Sequence, residues 1–227
     1  MLFLQWLAFA GVLLFAAFLL WQRNVWHMLV EADPTGITLL IIAVFTGATI
    51  WCGLRASRLA DERKALDDFI ASFRTNGREP ESSRDIVNDR WTIAYLRDLL
   101  TKRHAGESDH SQLTDILAER LHGATETAWW VNGIQIKLGL LGKVIGFSIL
   151  AMQISQIDNF DPSQAQTLLK TLTGGLGIAL LTTAVGLLAN ILLGLQLVRI
   201  DRSADTILAD ALQFAETGLP AISRPAA

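Results

Sequence analysis

Cysteine is nearly absent from this chain: Cys52 is the single one in 227 residues, so no intrachain disulfide can form. It sits in an apolar run, where it reads as a small packing residue. Charge of one sign is lacking too. The net charge is only −3 and no basic cluster is interleaved with aromatics, which argues against a nucleic-acid surface. Metal-ligand spacing is missing: His27, His104, His110 and His122 are scattered and read as solvated surface residues. No nucleophile, base and orienting group can be assembled from the sequence, so no catalytic residue, metal or cofactor is expected. The stretch Gly139-Leu-Leu-Gly-Lys143 lacks the spacing of a phosphate loop, and Val144 follows the lysine where such a loop has Ser or Thr. Low-complexity tracts and internal repeats are lacking as well.

Long apolar runs take the place of these features. Half of the residues are hydrophobic (51%), and most of the charge falls in a middle segment. Four runs reach the roughly 20 helical residues needed to cross a hydrocarbon core of about 30 Å: 2–21, 36–54, 129–157 and 172–198. Each is predicted to be helical, because lipid cannot satisfy free backbone donors and acceptors. The first has no Lys or Arg before its apolar stretch and no small-x-small cleavage pattern after it, so it reads as a retained anchor. Trp6 and Trp21 stand like interfacial anchors within it. The fourth has no charged residue, and the third carries Lys137 and Lys143. Lys137, near one end of its run, reads as a snorkelling side chain.

The expected fold class is all-α: a polytopic membrane protein with four transmembrane helices and a helical cytoplasmic extension. Residues 1–54 hold the first two spans, joined by a short periplasmic loop at 22–35 in which Asp33-Pro34 reads as a helix start. Residues 55–127 form a helical cytoplasmic segment, 128–205 a second pair of spans with a periplasmic loop at 155–169, and 206–227 a cytoplasmic tail. Orientation follows from basic residues. Arg55, Arg58, Arg63 and Lys64 follow the second run, and Arg199 and Arg202 follow the fourth. The loop at 22–35 has only Arg23, and 155–169 has neither Lys nor Arg. Both termini are therefore placed in the cytoplasm. In the middle segment Leu66, Phe69, Ile70 and Phe73 recur at helical spacing up to a stop at Asn76-Gly77. A polar link at 78–84 precedes a second helix carrying Ile86, Ile93, Leu96, Leu99 and Leu100 and ending near Gly106. Leu113, Ile116, Leu117 and Leu121 stripe a helix that leads towards the third span. In the tail, Ile200, Ile207, Leu208 and Leu212 repeat the pattern before it frays at 218–227.

The third and fourth runs are two-faced. At 3.6 residues per turn Gly175, Ala179, Thr183, Gly186, Asn190 and Gly194 share an arc of about 100°. Asn132, Gln135, Gly139, Gly142, Lys143, Gly146 and Gln153 share one of about the same width. Close helix packing accounts for Gly139, Gly142, Gly146, Gly175 and Gly186 without any pore. The amides and Lys143 point instead to a surface meeting water or a polar group, since an ionisable side chain in a span costs several kcal/mol unless paired or hydrated.

Those residues carry a resemblance. Gly139-Leu-Leu-Gly-Lys-Val-Ile-Gly146 resembles the GLLGTVxG signature in the penultimate span of ExbB and TolQ, and Ala179-Leu-Leu-Thr-Thr-Ala-Val-Gly-Leu187 resembles the ALLATAxGL signature of their last span. The similarity covers about residues 128–205. Two adjacent spans ahead of a cytoplasmic segment are similar to the four-span layout of MotA, with a shorter cytoplasmic segment. Membership of this proton-channel family implies a bacterial inner-membrane protein, a homopentamer among membrane lipids around a single-span partner dimer of the MotB/TolR/ExbD kind, and ion flow (H⁺ or Na⁺) that turns ring against partner. The partner supplies a proton-carrying aspartate. Thr183 matches the signature threonine, and the resemblance implies that it faces that carboxylate, with Lys143, Thr182, Asn190 and Gln135 along the ion pathway. The departures are Lys143 in place of a threonine, Ile178 in place of a glutamate and Leu192 in place of a proline. Lys143 then has three readings: pairing with the partner's aspartate, titrating within the relay, or marking a channel that no longer conducts. The alternative function is a non-conducting membrane scaffold of the same fold.

Overall fold

The computed structural model describes residues 2–33, 35–76, 90–105, 110–155 and 165–219, and every element among them is a helix. In chain order these are α1 (Leu2–Gln22), α2 (Val25–Ala32), α3 (Ile37–Asn76), α4 (Trp91–His104), α5 (Ser111–Ser155) and α6 (Ala165–Thr217). Four of them, α1, α3, α5 and α6, are long and apolar enough to cross a membrane, so the chain is an all-helical protein of multi-pass membrane character. The stop at Gly77, the link at 78–84, Ile86 and Gly106 lie outside the described residues. So do most of the loop at 155–169 and the tail from 220 onward.

One element departs from expectation. The connection at 22–35 contains the eight-residue helix α2. Asn24 turns the chain between α1 and α2 with a left-handed backbone, φ 55°, a conformation that Asn tolerates better than most residues. The Trp26 indole then donates to the carbonyl of Ala17 (3.2 Å). The third and fourth runs are parts of much longer helices: α5 runs 45 residues and α6 runs 53. Each continues from a lipid-compatible apolar stretch into an amphipathic one without a break.

The start of α3 is built as the Asp33 reading requires. The Asp33 carboxylate accepts from the N–H groups of Thr35 (3.0 Å) and Thr38 (2.6 Å) and from the Thr35 hydroxyl. It thus meets backbone donors that a helix start leaves without intrahelical partners. Gly36, with φ +73°, completes the turn where a side chain would be strained.

The chain divides into two compact units. The first comprises Met1–Gln5, Gly53–Thr127 and Val198–Ala227. Its core is large and apolar: Leu59, Leu66, Phe69, Leu96, Leu99, Leu117, Leu121, Ile200 and Ile207 are all buried. Phe69, Phe73 and Phe214 pack as an aromatic trio with ring centroids 5.8 to 6.1 Å apart. Around this core several polar groups are paired. Glu62, itself buried, accepts from the backbone N–H groups of Trp91 (3.2 Å) and Thr92 (3.1 Å) and from the Thr92 hydroxyl (2.9 Å). It caps α4, whose own N-cap residue Arg90 makes no side-chain cap. Arg55 donates to the carbonyls of Arg120 (3.1 Å) and Leu121 (2.9 Å). Its guanidinium and that of Arg58 lie 5.1 and 5.3 Å from the centroid of the Trp91 ring, within range of cation–π attraction. Arg63 bridges Asp67 and Asp210, and His122 faces Asp205 at 3.4 Å.

The second unit comprises Trp6–Cys52 and Ala128–Leu197. A small apolar core of Ile37, Ile41 and Ala189 is flanked by Phe45, Leu138, Ile145 and Val185. No residue of α1 is buried, and Leu140, Val144, Leu180, Leu188 and Ile191 are exposed. An apolar outside of this kind suits lipid or other membrane helices.

Candidate functional site: the α5–α6 seam

The two glycine-bearing faces of the second unit meet each other. A Cβ placed on Gly139 would lie 3.1 Å from the carbonyl of Thr182, and one on Gly146 would lie 3.0 Å from the N of Ala179 and 3.1 Å from the carbonyl of Gly175. On α6, a Cβ at Gly186 would come within 2.8 Å of the Gln135 carbonyl, and one at Gly175 within 2.9 Å of Leu150 Cβ. Gly142 is filled by the Thr182 side chain, 2.6 Å from where its own Cβ would stand. At Gly139, Gly146 and Gly186 the close neighbours are backbone atoms, and at Gly142 and Gly175 the nearest are side-chain atoms of the facing helix. Such contacts suit helix association in lipid, where burying apolar area gives no drive and close approach supplies the contact energy.

The polar residues of the two arcs divide by this seam. Thr182 is fully buried, and its hydroxyl donates to the carbonyls of Ile178 (3.0 Å) and Ala179 (3.4 Å) of its own helix. Thr183 is half-buried. Its hydroxyl is 2.8 Å from the carbonyl of Ala179 and 3.4 Å from that of Gly139 on the facing helix. Asn190, also half-buried, donates its amide across to the carbonyl of Asn132 at 2.9 Å. Gln135 is completely buried, and neither end of its amide has a partner; the Oδ1 of Asn132, a residue only 5% exposed, is likewise unmet. Leaving such groups dry costs about 1–3 kcal/mol each. Lys143, by contrast, stands at the edge of its arc and is exposed, with its ammonium 6.0 Å from the Phe147 ring centroid. Gly139, Gly142, Gly146, Gly175 and Gly186 thus come together with Thr182, Thr183, Asn190 and Gln135, while Lys143 points away. Ile178, where the signature has a glutamate, is buried.

A second polar junction was not expected from the sequence. Gln196 of α6 is buried; its carbonyl accepts from the Trp6 indole (3.2 Å) and its amide donates to the Thr49 hydroxyl (3.2 Å). One amide therefore links α1, α3 and α6. The available signal was an amide in an otherwise apolar run, the same signal that drew attention to Asn190. Two of the histidines also depart from expectation. His27 and His104 are exposed, whereas His122 is partly covered beside Asp205 and the Nδ1 of His110 is buried without a partner.

Asp33 and Arg55 are among the groups outside the spans whose titration is shifted. Burial acts to raise the pKa of Asp33, but the hydrogen bonds from Thr35 and Thr38 outweigh it and hold the carboxyl below its ordinary value. Burial, with the neighbouring Arg58, lowers the pKa of Arg55, and Glu62 partly offsets this. Among the described residues no group of three or more His, Cys, Asp or Glu could hold a metal ion.

The four long apolar helices are those of a multi-pass membrane protein, and α5 and α6 pack in it as a small-residue helix pair. Compared with known proteins, the chain matches no family model, no curated protein and no solved structure.

Proposed function

We propose that the chain is an ion-channel subunit of the MotA/TolQ/ExbB kind, residing in a bacterial inner membrane with both termini and its water-facing helical unit in the cytoplasm. On this reading it forms a homopentamer around a single-span, aspartate-bearing partner dimer and converts ion motive force into motion. What carries the reading is the pairing of the two signature-like stretches. Their glycines lock α5 against α6, and Lys143 remains on the outer surface of an apolar helix. A lysine left facing hydrocarbon is costly, and an aspartate on a neighbouring span would relieve it. Thr183 supports the same reading from the seam's margin. Its hydroxyl donates to the backbone and keeps the capacity to accept a proton-bearing carboxyl's hydrogen bond.

A specific observation favours a second reading, a non-conducting scaffold. The hydroxyls of both threonines are bonded to backbone carbonyls, and a cation replaces a neutral side chain in the signature. Proton flux into vesicles holding the chain with its co-purifying single-span partner separates the two. The channel reading expects flux that collapses in Lys143→Ala along with partner retention. Flux equal to that of empty vesicles favours the scaffold, and a Lys143→Ala variant that binds the partner and conducts as before removes the pairing.

A further inference from the structure

We infer that the seam between α5 and α6 holds a site for internal water, built by the side chains of Asn132 and Gln135. The inference concerns the inside of one chain and does not rest on the channel reading. Gln135 is fully buried and its Nε2 and Oε1 are both without partners, and Oδ1 of Asn132 is the third such atom. The two residues are three apart on one helix, which places them as neighbours on the same face. That face looks into the seam. The Gln135 backbone carbonyl abuts Gly186, and the Asn132 side-chain nitrogen is 3.5 Å from where a Cβ of Gly194 would stand.

The unmet atoms select the ligand. Two are acceptors, Oδ1 and Oε1, and one is a donor nitrogen carrying two hydrogens. A bare cation would satisfy the oxygens but would face the Nε2 hydrogens with like charge. An anion would meet the nitrogen and be repelled by both oxygens. Water donates twice and accepts twice, so it alone serves the whole set, and buried waters characteristically make about three hydrogen bonds to such groups. The neighbouring donors are already committed: Asn190 Nδ2 is bonded to the Asn132 backbone carbonyl, and the Thr182 and Thr183 hydroxyls donate to backbone. The seam is therefore wet at one level and dry along its glycines.

The test is infrared spectroscopy of the full chain in lipid nanodiscs, comparing ordinary water with water carrying heavy oxygen. Amide and hydroxyl bands of the protein do not shift with the solvent's oxygen isotope, whereas a bound water's stretching band does. The difference spectrum of wild type against Gln135→Met should contain an isotope-sensitive stretching band that the variant lacks. Methionine keeps the length and helix propensity of glutamine and removes both amide atoms. Asn132→Ala provides the second probe and should shift the same band by removing one of its partners, so the outcome does not hang on one variant folding. The inference is overturned if wild type shows no such band, or if the band is the same in both variants. A band that appears only when sodium or potassium is present also overturns it, in favour of a cation site.

Discussion

The two compact units solve the problem of holding helices together by opposite means. In the unit built from Gly53–Thr127 and Val198–Ala227, the buried positions carry the largest apolar side chains, and charged groups are paired around them. In the unit built from Trp6–Cys52 and Ala128–Leu197, the closest approach is made by residues with almost no side chain. Most of the exposed large apolar residues lie there, although Ile41, Leu193 and Leu197 are buried. Four helices, α1, α3, α5 and α6, contribute to both units, so the change of packing rule happens within continuous elements. On the reading proposed above, solvent explains the difference. Water drives large apolar groups inward, whereas lipid is indifferent to them and leaves close backbone contact and hydrogen bonds as the available attractions.

That contrast is open to direct attack, most strongly through the first unit. Phe69 is 1% exposed and touches both Phe73 and Phe214. Phe69→Ala should destabilise the chain by about 3–5 kcal/mol, the usual cost of emptying a large aromatic site, as read from thermal or denaturant unfolding in detergent. A loss below about 1 kcal/mol would show that this unit is not held by its apolar core.

In the second unit the sensitive direction reverses, and adding a methyl group should do the damage. Gly186→Ala places a carbon 2.8 Å from the Gln135 backbone carbonyl, and backbone cannot swing aside as a side chain can. We expect a loss of about 1–3 kcal/mol, the range for overpacking. Gly194→Ala on the same helix meets only the Asn132 amide, at the ordinary contact distance of 3.5 Å, and should leave the melting temperature nearly unchanged. If the two substitutions have equal effects, the seam is not the close contact described.

How much of this was legible in the sequence depends on range. Periodicity placed the apolar stripes of α3, α4, α5 and α6, and the glycine spacing marked the faces that meet, because both are properties of neighbouring turns of one helix. The α2 helix was read as loop: eight residues between Arg23-Asn24 and Asp33-Pro34 are too few for a periodic signal. Glu62 capping α4 from 29 and 30 residues away, and Gln196 joining Trp6 to Thr49, were invisible because a contact between distant segments leaves no local pattern. Lys143 shows the limit within one helix. An arc of about 100° has edges, and one position decides whether a residue such as Gly142 is buried or one such as Lys143 is exposed.

The smallest expected effect lies at the start of α3, near which the sequence places a helix-start signal. Asp33 is buried, and its carboxylate gathers the N–H groups of Thr35 and Thr38. Only the ionised form accepts all of these bonds, which is why its pKa lies below the ordinary value. A folded-state pKa below the unfolded one means that the unfolded chain takes up the proton first. The stabilisation is therefore complete above the unfolded value of 3.8 and is lost as pH falls through the lower folded value. Asp33→Ala should cost about 1 kcal/mol at neutral pH, in line with other helix caps. On acidification the melting temperatures of variant and wild type should converge, since protonation removes from the wild type what the substitution has already removed. Convergence that begins well above the ordinary carboxylate range, or a gap that widens in acid, would place the origin of the difference elsewhere than in the ionised cap.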